Sequence, residues 1–210
     1  MECYTRKQEI VNGLIHGFGM LFGISAIPVL PAIATTNNNV PGIVGSGIYG
    51  FCFLMLFTAS TIFHITRDPA IRLLFMKLDH ISIYFFIAGT YTPFLLVFLN
   101  NSFGISLLVI LWSLAVVGVF IKIRWTGRFD VISTIVYLAM GWIMLVGGGK
   151  FFNAIPTDVL IFIILGGVLY TVGSVFYLWD KYTYTHAVWH SFVLAAAICH
   201  YIAVLLSITG

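Results

Sequence analysis

Charge is the scarcest thing in this sequence. Only 8% of its 210 residues are Asp, Glu, Lys or Arg, while 60% are hydrophobic. Soluble domains carry about a quarter charged residues, so a water-soluble globular fold is excluded. The formal charge is only +3 and no basic stripe occurs, which removes nucleic acid as a partner. Cysteine is scarce too. Cys3, Cys52 and Cys199 stand far apart, without metal or redox spacing, and two of them read as small hydrophobes in apolar stretches. No P-loop, nucleophile elbow or H-E-x-x-H string is present. "GSGIYG", Gly45 to Gly50, matches G-x-G-x-x-G as a string, but it opens an apolar segment with no strand before it. Its expected role is close helix packing rather than dinucleotide binding.

What the sequence has in quantity is apolar length. A helix needs about 20 apolar residues to cross a bilayer core. Windows at approximately 13–34, 43–65, 79–99, 103–121, 131–149, 157–179 and 186–208 meet that need. The first lacks a convincing cleavage site and is read as a retained span. The connections are short, so residues 1–210 are expected to form one domain, an all-α bundle of seven membrane helices. Pro28, Pro31 and Pro93 fall inside windows and are expected to kink the first and third spans.

Basic residues orient the bundle. With seven spans, Arg6, Lys7, Arg67, Arg72, Lys77, Lys122, Arg124, Arg128 and Lys181 share one side, and only Lys150 is on the other. The N-terminus is therefore expected in the cytoplasm and the C-terminus outside, in the cell (inner) membrane.

Polar groups inside spans are costly, so each is a candidate for function. "STIFH" places Ser60 and His64 on one face at the inner end of the second span. "KLDHISIY" puts Asp79 and His80 at the mouth of the third, and the seventh opens with His186 and His190, one turn apart. The charge rule, which ignores histidines, brings these three helix ends to one depth. Three imidazoles suit zinc, with a fourth position left for water. Asp79 is then a candidate for holding that water or moving its proton, and Ser60 for supporting the site. The competing reading is that the histidines staple helices together. "EIVNGLIHG" adds Glu9, Asn12 and His16 at the inner end of the first span, either as an interfacial cap or as part of the site. His80 points away from Asp79 around its helix and is a spare ligand. His200 lies ten residues beyond His190, about 15 Å along a helix, too far to share an ion. A buried hydrogen bond between helices is its favoured role.

These strings, with "LDHISIYFFIAGTYTP" in the third span and "HAVWHSFVLAAAICHY" in the seventh, resemble the hemolysin III family, the bacterial branch of the progestin and adipoQ receptor group. The resemblance covers all seven spans. It implies a seven-helix bundle with a cytoplasmic N-terminus and zinc near the cytoplasmic face. Carried over by motif, it implies zinc on His64, His186 and His190, Asp79 contacting the water on the ion, and Ser60 one turn before the first histidine. Eukaryotic members of the group bind protein or steroid signals and are linked to ceramide-type amide hydrolysis. This chain lacks their long N-terminal region, so a hormone-receptor role is not expected.

The function expected first is zinc-dependent hydrolysis of a membrane lipid amide or ester, with Asp79 as general base and Ser60 at the oxyanion. The alternative is a non-enzymatic sensor or transporter with structural or regulatory zinc. A pore-forming haemolysin ranks last, because no polar stripe is available to line a wide aqueous channel.

Overall fold

A computed structural model of the chain describes residues 4–179 and 182–209. Cys3, Lys181 and the C-terminal Gly210 lie outside the described residues. The described residues form helices and no strand. The first span is broken into α1 (Arg6–Ala26) and α2 (Val29–Thr36). The second, third and fourth are α3 (Val40–Ile65), α4 (Pro69–Phe98) and α5 (Ser102–Trp125). The fifth is α6 (Asp130–Gly141) with the single turn α7 (Met144–Gly147), and the further turn α8 (Gly149–Phe152) follows it. The sixth and seventh are α9 (Thr157–Leu178) and α10 (Thr185–Thr209). Seven helical stretches are long and apolar enough to cross a membrane.

Local chemistry sets the helix starts. Thr5 and Gln8 form a capping box on α1. Asn39, Asp68 and Asn101 accept the first amides of α3, α4 and α5, and Pro41 and Pro69 follow two of these caps where no N–H is needed. The outward faces are apolar: Phe18, Phe51, Phe120, Ile135 and Val146 are all exposed, as contact with lipid tails requires. Polar side chains turn inward instead, among them Glu9, His16, Ser60, His64 and His190.

Because lipid is as apolar as leucine, helices associate by close packing. Gly45 shows this for the "GSGIYG" string: a Cβ there would lie 2.5 Å from the Pro93 Cα of α4. The motif packs helices, as expected. Gly118 does the same for α5, where a Cβ would come within 2.6 Å of the Tyr84 ring of α4. α3 packs along α4 and α1, and α10 along α9 and α1, while α6 rests on α4 and α9.

Pro28 lies at the break between α1 and α2, and α4 continues as a helix through Pro93. Two expected span boundaries need adjustment. The fifth span stops at Gly147 rather than 149, where Gly148 turns at φ 49°. The third span begins ten residues before the expected boundary. Arg72 and Lys77 ended the apolar window, yet Asp68 and Pro69 start a helix that carries both. Asp79 therefore stands about three turns inside α4 rather than at its mouth.

Candidate metal centre and its cavity

His64 occupies the last turn of α3, and His186 and His190 the first two turns of α10. Both helix ends belong to the end of the bundle that carries the N-terminus. Ligand nitrogens of the three rings lie within 4.8 Å of one another, an arrangement that can hold a metal ion. The Nε2 atoms of His64 and His190 face each other at 3.1 Å. Two nitrogens bound at 2.0–2.1 Å with a tetrahedral angle would stand about 3.3 Å apart. The observed spacing therefore fits such a site after an adjustment of a few tenths of an ångström.

The opposite nitrogens have partners of their own. His64 Nδ1 donates to Glu9 Oε2 at 2.6 Å. The other Glu9 oxygen accepts from the Arg72 guanidinium, which also donates to the Phe63 carbonyl and lies over the Phe63 ring. His190 Nδ1 meets His16 Nε2 at 2.6 Å, and His186 Nδ1 meets the Tyr4 hydroxyl at 3.1 Å. A protein partner on Nδ1 fixes ring orientation and directs Nε2 of His64 and His190 inward, which is how metal-binding imidazoles are held. The first span thus contributes Glu9 and His16, and the segment before it Tyr4, to the outer layer of the cluster, which favours "EIVNGLIHG" as part of the site over the interfacial cap.

The cluster opens into a cavity of about 660 Å³. Asp79 lines it and lies within interaction range of Ser60, His64 and His80. Ser60 is fully buried one turn before His64, and its hydroxyl makes no hydrogen bond of ordinary geometry among the described residues. Asp79 and Ser60 are thus brought beside the histidines. His80 lines the cavity beside Asp79 but is outside the group of three, and its Nδ1 bonds the Met76 carbonyl of its own helix at 2.7 Å. His200 bonds the Ile163 carbonyl of α9 at 3.2 Å, the interhelical bond expected of it. The deeper wall is largely apolar, with Leu56, Phe86, Phe94 and Val193.

A model of haemolysin-III-related proteins matches residues 4–201. The chain belongs to the hemolysin III family. It is 40% identical over 202 residues to a hemolysin-3 homolog of Bacillus subtilis, spanning 96% of this chain and 95% of that one. It is 38% identical to hemolysin-3 of Bacillus cereus, over 95% of this chain and 91% of the relative. A human monocyte to macrophage differentiation factor is 31% identical over 97% of this chain and 81% of its own. No solved structure matches the chain.

Arg72, Tyr4 and Lys122 are among the members of the cavity wall that sequence reasoning missed. Arg72 and Lys122 had been spent on orientation, as loop charges. For Lys122 a signal was available. Gly104, Leu107, Leu111, Ala115 and Gly118 form the buried face of α5, and Lys122 is the next step of that three-and-four spacing.

Proposed function

We propose that this hemolysin III family member is a zinc-dependent hydrolase of a lipid amide or ester, acting at the cytoplasmic face of the cell membrane. The observation that carries this is the cluster of His64, His186 and His190 at a cavity that His186, His190 and Asp79 line, with the buried Ser60 beside Asp79. Zinc on the three imidazoles would lower the pKa of water and polarise a carbonyl. Asp79 takes the proton of the attacking water and returns it to the departing amine or alcohol as the carbonyl bond to that group breaks. Ser60 donates its hydroxyl hydrogen to the carbonyl oxygen as negative charge develops there. Glu9, His16 and Tyr4 hold the three rings in place through Nδ1. The apolar depth of the cavity takes the acyl chain. The basic residues around the N-terminal end support a cytoplasmic N-terminus.

The relatives named for haemolysis suggest lysis as a second reading, but the deeper wall of the cavity is largely apolar. The deciding experiment incubates purified protein, zinc-loaded or metal-stripped, with a panel of lipid amides and esters and measures released fatty acid by mass spectrometry. Zinc-dependent release from at least one class is expected. Folded, zinc-loaded protein that releases nothing across the panel refutes the hydrolase. A fold that melts when zinc is stripped points to a structural metal.

A further inference from the structure

Lys122 is the buried charge that the proposed hydrolysis leaves unused. Its side chain is 1% exposed, yet its Nζ makes no hydrogen bond among the described residues. Asp130, at 3.9 Å, is too far to accept one, and the facing Asp130 oxygen is itself without a hydrogen-bond partner. An ammonium carries three donors. Asp130 is 43% exposed and its attraction is weakened by solvent, so it does not repay the desolvation of the buried ammonium, and this arrangement calls for a further acceptor.

The surroundings indicate where that acceptor comes from. Lys122 lines the same cavity as the histidine cluster, together with Arg128 and Thr126. Gly118 abuts Tyr84, and α4 and α5 run antiparallel. One turn further along α5, about 6 Å, Lys122 stands level with His80 on α4, and so beside the depth of Asp79. The charged side chains lining the cavity are Arg72, Lys122 and Arg128 against Asp79 and Asp130. Arg72 is committed to Glu9, which leaves Lys122 as the buried cation with donors to spare.

We propose that Lys122 is an anion subsite of the cavity and holds the negatively charged head group, phosphate or carboxylate, of an amphiphile whose chain fills the apolar depth. This rests on the reading of the cavity as a lipid site and narrows the substrate class to anionic lipids. Its test needs no turnover, so it can fail while hydrolysis stands, or stand while hydrolysis fails.

The experiment measures calorimetric dissociation constants for the non-hydrolysable ether-linked analogues of 1-oleoyl lysophosphatidate and 1-oleoylglycerol on the full chain in neutral detergent. Wild type, Lys122→Met and Lys122→Arg are compared at equal zinc occupancy, which holds any attraction of the metal for anions constant. A charge-assisted hydrogen bond supports a preference for the phosphate probe of about tenfold to a hundredfold. Wild type and Lys122→Arg should show it. Lys122→Met should lose it while binding 1-oleoylglycerol as before. If Lys122→Met does not fold, the Lys122→Met/Asp130→Asn pair, which leaves no lone charge, replaces it. The proposal is overturned if wild type shows no preference, if neither probe binds, or if the preference survives in Lys122→Met. It is also overturned if Asp130→Asn and Lys122→Met weaken both probes equally, since Lys122 then only latches α5 to α6. Inorganic phosphate is titrated separately. Binding as tight as that of the lysophosphatidate, lost in Lys122→Met, would overturn the amphiphile in favour of a free anion.

Discussion

Glu9→Ala tests whether the outer layer of the cluster governs the metal. In the folded chain the Glu9 carboxylate joins two donors: it accepts from His64 Nδ1 at 2.6 Å and from Arg72. Alanine leaves His64 free to rotate about its side-chain bonds and leaves Arg72 uncompensated beside it. Loss of such a partner typically costs about 10- to 100-fold in metal affinity, or about 1.4 to 2.7 kcal/mol. Alanine should reach the upper part of that range because two effects add. Glu9→Gln should cost about tenfold: its oxygen can still accept from His64, but its amide hydrogens then oppose the guanidinium. The assay is zinc competition with a chromophoric chelator on purified protein, with the visible spectrum of the cobalt-substituted form reporting geometry. His200→Ala is the control, because its ring bonds the Ile163 carbonyl and should leave affinity where it is. A folded Glu9→Ala protein with wild-type zinc affinity and an unchanged cobalt spectrum would refute the positioning role.

Asp79→Asn should keep zinc and the fold while turnover drops by about 10²–10⁴, the usual effect of losing a positioned base; activity and zinc measured on one preparation decide it, and full activity removes Asp79 from the chemistry. Gly45→Ala should destabilise the bundle by about 1–3 kcal/mol, the range for overpacking, because the Pro93 backbone 2.5 Å away cannot rotate aside; thermal unfolding in detergent reads this, and an unchanged midpoint means that α3 and α4 can separate. Reporter fusions should place the N-terminus in the cytoplasm and the C-terminus outside; a cytoplasmic C-terminal reporter contradicts the orientation.

The helices and the three candidate ligands were legible because both leave local signatures. Twenty apolar residues in a row have few alternatives to a membrane span, and His186 and His190 share a face at any helix geometry. The link from α10 to His64, 122 residues before His186, came from charge asymmetry, which fixes depth without contacts. The same charge reading is what hid the rest. It treats each Arg and Lys as a loop residue in water, and that holds poorly for the ends of spans. Arg72 sits one turn inside α4 and reaches sideways to Glu9; Lys122 sits one turn inside α5 and faces the cavity.

Which way a basic residue at a helix end points depends on the neighbouring helix, and no local pattern encodes that neighbour. Two features partly stand in for it. One is continuation of a buried stripe, which implicates Lys122. The other is an unmatched carboxylate at the same depth, which pairs Glu9 with a cation once α1 and α4 are known to end together. A buried acid in a first span is hard to explain as a cap alone, because a cap needs only the first amides, and in α1 Thr5 and Gln8 already serve them. Glu9, one residue after that capping box, is left to look across the bundle rather than along its own helix. It meets His64, and through His64 the first span shapes the site while supplying no ligand to it.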